Sequence, residues 1–271
     1  MSADAQTRAF LERVGRAPSP RTVPIEDLRA ATEDVARRFG LPPEPVASVR
    51  EVEHGRLYEP ENARGIVVYA HGGAFVRGSV DSHDGLTRAL ANGSGCAVLS
   101  VDYRLAPEHP FPAAFHDFGR ALNWAVRQHA HVVIAGDSAG GNLAAAWARA
   151  ASFQALIQPV LDLHATSPSI DLLGDEYGLP RDYIEWSNEL YGADPDDPRA
   201  SPLLRPARTP GFVVTGEYDP FRDEGQAYAA AAGVEHVRYA GLIHHAVLVP
   251  RAIARGEQVI RDAARRIGES A

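Results

Sequence analysis

Ser138 stands in the stretch GDSAG, Gly136 to Gly140, after the apolar run HVVIA and before GNLAAAWARA, which has the composition of a helix. A serine hydroxyl is a weak nucleophile at neutral pH. It becomes reactive when a base takes its proton, an acid orients that base, and N–H donors await the oxyanion that forms on attack at a carbonyl. The G-x-S-x-G spacing suits a sharp strand-to-helix turn whose small neighbours let the hydroxyl stand clear of the backbone, with the positive end of the following helix directed at the site. The same five residues also suit a plain glycine turn, so the reading depends on whether the remaining parts occur elsewhere in the chain.

Each part has a candidate. HGGAF, His71 to Phe75, directly follows the apolar run GIVVYA. Its small residues let the backbone N–H groups of Gly72, Gly73 and Ala74 approach a substrate, and Ala139, after the serine, supplies a further donor. For the acid, GFVVTGEYDPFRDEG places Asp219 just past a strand end, fixed by Pro220, with Asp223 and Glu224 expected on the surface of the next helix. Asp162, which ends QPVLD, is a rival acid. For the base, AGLIHHAVL supplies His244 and His245, of which the first is favoured. His129 and His131 lack metal-ligand spacing and read as surface or loop residues, so neither a metal nor another cofactor is expected. Cys96, in the apolar run CAVLSV, reads as a buried, inert thiol.

These residues need a scaffold that brings distant loops together. From Arg64 onward, the runs GIVVYA, CAVLSV, HVVIA, QALIQPV, GFVVTG and EHVRYA alternate with stretches of helical length. That alternation predicts an α/β fold, with a mostly parallel central sheet and helices on both faces. In such a sheet ligands bind beyond the carboxyl ends of the strands, where Ser138 falls. The intervening helices are expected in HDGLTRALANG, PAAFHDFGRALNWAVRQ, AGGNLAAAWARAA and RDEGQAYAAAAG, and the last in RAIARGEQVIRDAARRI. Two regions break the rhythm: residues 1–45, with helical patterns around Phe10 and Leu28, and residues 165–210, rich in proline. Both are expected to act as cap elements on a single domain spanning residues 1–271. Phe10, Leu172, Leu173, Tyr177 and Trp186 have the character to line a pocket there, although packing alone accounts for their spacing.

Composition narrows the partners. The chain has a formal net charge of −8, and its 27 basic residues are all arginine, scattered among acids. No basic stripe exists to follow a nucleic-acid backbone. No apolar run approaches the length of a membrane span, and MSADAQTRAF lacks the pattern of a secretory leader, so no membrane partner and a cytoplasmic location are expected. A small molecule is the expected partner, and a homodimer is left open.

Taken in order, HGGAF, VDYRLAPEHPFPAA, GDSAGGN, EYDPFRDEG and GLIHH resemble the successive blocks of the hormone-sensitive-lipase-like bacterial carboxylesterases, over roughly residues 64–250. The resemblance implies the α/β-hydrolase fold with a small helical cap and a cofactor-free serine esterase acting on short- to medium-chain acyl esters. It implies a triad of Ser138, Asp219 and His244, in the chain order usual for that fold. Ala74 replaces a glycine usual in the family, which should narrow the acyl wall and keep the amide donor. His245 replaces the glycine usual after the catalytic histidine, and the cap is abbreviated. The same parts also fit a biosynthetic tailoring enzyme, such as a deacetylase, acyl transferase, cyclase or dehydratase. A non-catalytic receptor would lack the base.

Overall fold

Runs of apolar residues flanked by helical segments fold here as an eight-stranded sheet among the described residues, 5–15 and 18–271 of a computed structural model. The strands are β1 (Ser48–Val52), β2 (Gly55–Glu59), β3 (Ile66–Ala70), β4 (Ala97–Val101), β5 (Val132–Asp137), β6 (Phe153–Ile157), β7 (Gly211–Tyr218) and β8 (Glu235–Ile243). Their spatial order is β1-β2-β4-β3-β5-β6-β7-β8. Strands β3 to β8 run parallel, and β1 and β2 add an antiparallel edge. The six parallel strands coincide with the six apolar runs. The β1–β2 hairpin was not foreseen, because SVREV and GRLYE carry charged residues and β1 is largely exposed.

The helices are α1 (Ala5–Val14), α2 (Ile25–Phe39), α3 (Asp84–Ser94), α4 (Ala113–Val126), α5 (Ala139–Trp147), α6 (Pro168–Leu173), α7 (Arg181–Tyr191), α8 (Arg222–Ala232) and α9 (Ala254–Ser270). Alternate strand residues point to opposite faces, so one chain builds two cores. Val68, Leu99, Ile134, Leu156 and Val213 pack with Phe118 of α4, Leu143 of α5 and Tyr228 of α8. Val67, Val98, Val133, Phe212 and Val214 pack with Leu90 of α3 and Val259 and Ile260 of α9. Burial of each such side chain stabilises the fold by about 1.5–3 kcal/mol, and that packing fixes the strand ends that carry the site. Cys96 is fully buried, and burial pushes its thiol pKa up.

Helices α1, α2, α6 and α7 lie outside the strand–helix alternation. The N-terminal segment and α7 are tied by Arg21 to Asp182 at 2.9 Å and Glu189 at 2.8 Å, with the Ser19 hydroxyl donating to Asp182 at 2.7 Å. These pairs are exposed, so they orient the two segments more than they stabilise them. No helix among the described residues is long and apolar enough to cross a membrane.

Candidate active site

Strand β5 ends at Asp137, and the chain turns sharply into α5. Ser138 takes φ 54° and ψ −119° at that turn, a conformation unusual for a residue with a side chain. The glycines on either side are required by close approach. A Cβ on Gly140 would run into the carbonyl of Ala70, and one on Gly136 into the backbone of Gly140. The turn lifts the serine hydroxyl into a cavity of about 850 Å³ at the carboxyl ends of the strands.

Three residues distant in sequence meet there. The Ser138 Oγ lies 2.8 Å from His244 Nε2, and His244 Nδ1 lies 2.9 Å from Asp219 Oδ1. A carboxylate only accepts, so Nδ1 carries the proton and Nε2 is free to accept from the serine. Asp219 is fully buried after β7. Burial pushes its carboxyl pKa up, but the His244 ring, the Phe221 amide at 3.0 Å and the Gln158 amide at 2.8 Å more than offset this and hold it below the usual range. Phe221 packs edge-on against His244 at 5.0 Å and limits its rotation. Such an arrangement can move a proton from the hydroxyl to the imidazole while the carboxylate stabilises the resulting charge.

The structure separates the paired histidines. His245 Nε2 faces the Gly178 carbonyl at 3.3 Å, and burial, His244 and Arg77 push the pKa of its ring down to about 3. His244 alone faces Ser138. The rival acid Asp162 lies elsewhere, accepting from His164 at 2.8 Å. Glu224 departs from the expected surface position. It is fully buried, accepts from the Leu161 amide, and burial raises its pKa well above the usual carboxylate range.

The loop Gly72–Phe75 follows β3, and Gly73, Ala74 and Phe75 all have positive φ, at 132°, 56° and 63°. No protein group among the described residues accepts from the amides of Gly73, Ala74 or Ala139. Gly72 differs from expectation as a donor: its amide is taken by Asp137 Oδ1 at 2.9 Å, so it braces the loop and is not available to an oxyanion. Asp137 also accepts from the Tyr69 hydroxyl at 2.5 Å and lies 3.4 Å from His83 Nε2, long for a hydrogen bond but close enough for attraction. Burial pushes the Asp137 pKa up, and His83 and the Tyr69 hydroxyl bring it below the usual range. His71 completes the brace. Burial and His83 push its pKa down to about 3, so the ring is neutral, and its Nδ1 donates to the Gly72 carbonyl at 2.8 Å. Tyr103, from the VDYRLAPEHPFPAA block, stacks on this ring at 4.3 Å and donates to the His71 carbonyl at 2.7 Å.

The residues that complete the cavity include Phe10 of α1, Leu28 and Val35 of α2, Tyr183 and Ile184 of α7, and Leu179 just before α7. Of the pocket residues suggested by sequence, only Phe10 borders it. Leu172 is 67 % exposed, and Tyr177 and Trp186 are buried away from the lining. Two residues at the site escaped sequence reasoning. Gln158, at the end of β6, donates to Asp219 Oδ2 at 2.8 Å and to the Ile243 carbonyl at 3.1 Å. Arg77 lines the cavity just past the glycine loop. The only sequence signal for either is a polar side chain within an otherwise apolar block.

Comparison with known proteins gives the family of the fold. The family described as the alpha/beta hydrolase fold matches residues 67–248. Carboxylic ester hydrolase LipN of Mycobacterium tuberculosis is 37% identical over 227 residues, which cover 71% of this chain and 60% of LipN. Ethyl acetate hydrolase of Pseudomonas putida is 36% identical over 222 residues, 72% of this chain and 68% of that protein. An esterase structure from Pyrobaculum calidifontis superposes with a TM-score of 0.87 at 33% identity, covering 99% of both chains. The chain belongs to the α/β-hydrolase family and, within it, to the hormone-sensitive-lipase-like bacterial carboxylesterases. It is thus an enzyme of the serine hydrolase class.

Proposed function

We propose that this chain hydrolyses carboxylic esters with short to medium acyl groups through Ser138, His244 and Asp219 by way of an acyl-enzyme. The observation that carries this reading is the unbroken path of hydrogen bonds from Asp219 through His244 to Ser138. As Ser138 Oγ bonds to the ester carbonyl carbon, His244 Nε2 takes its proton and Asp219 holds the imidazolium in place. The carbonyl oxygen becomes an oxyanion facing the amides of Gly73, Ala74 and Ala139. Each such donor contributes about 3 kcal/mol to the transition state. Collapse breaks the bond to the alcohol, which leaves with the proton from His244. Water, deprotonated by the same nitrogen, then attacks the acyl carbon, and the acid departs as Ser138 regains its proton.

Helices α1, α2, α6 and α7 form a cap over this chemistry, within a single domain. The cavity of about 850 Å³ falls within the size range of small-molecule sites. The methyl group of Ala74 lies on its wall, in support of short to medium chains. The names of the relatives, an ethyl acetate hydrolase among them, point to the same class of substrate. A receptor that binds without turnover has no use for an imidazole 2.8 Å from the serine. Replacing Ser138 by alanine is expected to abolish turnover of p-nitrophenyl butyrate above the solution rate, with the circular dichroism spectrum and melting temperature retained. Turnover at the wild-type rate in the folded variant would refute the assignment.

A further inference from the structure

Among the described residues that border the cavity, Arg77 is the one arginine, and the proposed chemistry does not use it. Arg77 follows the glycine loop, its amide donating to the Gly73 carbonyl at 3.0 Å, and its side chain borders the same space as Ser138 and His245. Many arginines of this chain pair with acids, as Arg29 does with Glu108 and Arg104 with Asp117. Arg77 pairs with none among the described residues. Its Nε is shielded from solvent and meets no acceptor, and its guanidinium lies 4.9 Å over the ring of Tyr183, from α7. The Tyr183 hydroxyl is likewise buried and unpartnered.

A guanidinium keeps its charge throughout the working pH range and offers five donors in a planar fork. Contact with a ring face balances part of that charge but accepts none of its hydrogen bonds. A half-buried fork beside a second orphan donor, on the wall of a substrate cavity, matches a planar anionic acceptor, for which carboxylate is the best geometric fit. Four acids also border the cavity: Glu12, Asp175 and Glu176 are exposed to water, where their fields are screened, while the buried Asp137 is already held by the Gly72 amide and the Tyr69 hydroxyl. They disfavour ligands of high negative charge and leave the site suited to a single carboxylate.

We infer that Arg77, assisted by the Tyr183 hydroxyl, forms a carboxylate-binding subsite, so that the preferred substrates are esters bearing one free carboxylate on a flexible arm. The inference rests on the hydrolase reading and narrows its substrate class. The arm belongs either to the acyl group or to the alcohol, and two series of esters separate these cases. The first compares monoethyl adipate with ethyl hexanoate, and the second 4-acetoxybutanoate with butyl acetate, with kcat and KM measured for each pair.

The wild-type enzyme is expected to favour the carboxylate ester in one series by about 30-fold or more in kcat/KM, mainly through KM. Arg77→Met should bring that ratio to within about threefold of one, and Arg77→Lys, a point charge without the fork, should restore part of it. The ratio is internal to each protein, so partial unfolding of a variant lowers both members alike and leaves it readable. A wild-type ratio near one in both series, or a preference that survives in Arg77→Met, would overturn the subsite. If the wild-type enzyme turns over no ester, p-nitrophenyl butyrate included, the hydrolase reading fails separately. Calorimetric titration with monoethyl adipate and with 4-acetoxybutanoate then decides the subsite: binding of either by the wild type that is lost in Arg77→Met supports it, and binding of neither by the wild type refutes it.

Discussion

Replacing Gln158 by leucine should weaken catalysis without touching the reacting groups. The Gln158 amide nitrogen donates to Asp219 Oδ2 at 2.8 Å and to the Ile243 carbonyl at 3.1 Å, in a fully buried setting. Turning the amide over would set its oxygen against two acceptors, so the donor assignment follows from its partners. A hydrogen bond to a buried charge contributes about 1.5–3 kcal/mol. Its other end, Oε1, is buried without a partner, and removing that orphan returns about 1 kcal/mol. The net destabilisation expected for Gln158→Leu at pH 7 is therefore about 0.5–2 kcal/mol, a fall in melting temperature of about 2–4 °C per kcal/mol.

The sign of the pH dependence follows from Asp219. Its folded pKa is depressed, so its contribution to stability is present above the unfolded value and is lost as pH falls through the folded one. Loss of the Gln158 bond raises the folded pKa. The stability gap between wild type and variant should thus be full at neutral pH and close as the carboxylates protonate. The same 0.5–2 kcal/mol bears on the step in which His244 becomes charged, which corresponds to a roughly two- to thirtyfold drop in kcat with KM within about twofold. Steady-state kinetics on p-nitrophenyl butyrate, together with thermal melts from about pH 2 to 8, test this. A variant with lowered melting temperature and unchanged kcat would show that Gln158 only packs, and would refute its role in positioning Asp219.

Two further expectations follow from the geometry. His244→Asn should lower kcat by about 10⁴–10⁶, whereas His245→Asn should stay within about tenfold, since its ring is neutral and faces Gly178; equal losses would show the base to be misassigned. Gly140→Ala should destabilise the fold by about 3 kcal/mol or more, because its Cβ meets the Ala70 carbonyl and neither backbone can withdraw. Urea unfolding reads this, and a stability within 1 kcal/mol of wild type, roughly the central effect of any substitution, would mean that the turn is looser than described.

Strands β3 to β7 were legible because most of their residues are buried on both faces, as in IVVYA and AVLSV, whereas β8 is buried only at its end, Gly241–Ile243. The β1–β2 hairpin was not legible, because β1 is an exposed edge and the buried Leu57 and Tyr58 of β2 stand among charged neighbours. That Ser138, Asp219 and His244 meet was legible through their positions at strand ends, where the fold collects ligand contacts. Choosing between His244 and His245 required coordinates, since adjacent residues differ only in the direction their side chains take. Glu224 was misread because its helix, RDEGQAYAAAA, shows charge at its start as exposed helices do, while its carboxyl turns inward to the Leu161 amide. Gln158 acts on a partner 61 positions away, a relation that no local pattern encodes. The Gly72 amide, taken by Asp137, illustrates the same point for a backbone donor.

The central claim is that His244 activates Ser138, and labelling with a fluorophosphonate followed by peptide mass spectrometry tests it most directly. A single adduct on the peptide containing Ser138 is expected in the wild-type protein, absent in Ser138→Ala and formed at least about 10³ times more slowly in His244→Ala. Labelling of another residue, or an undiminished rate without the imidazole, would contradict the account.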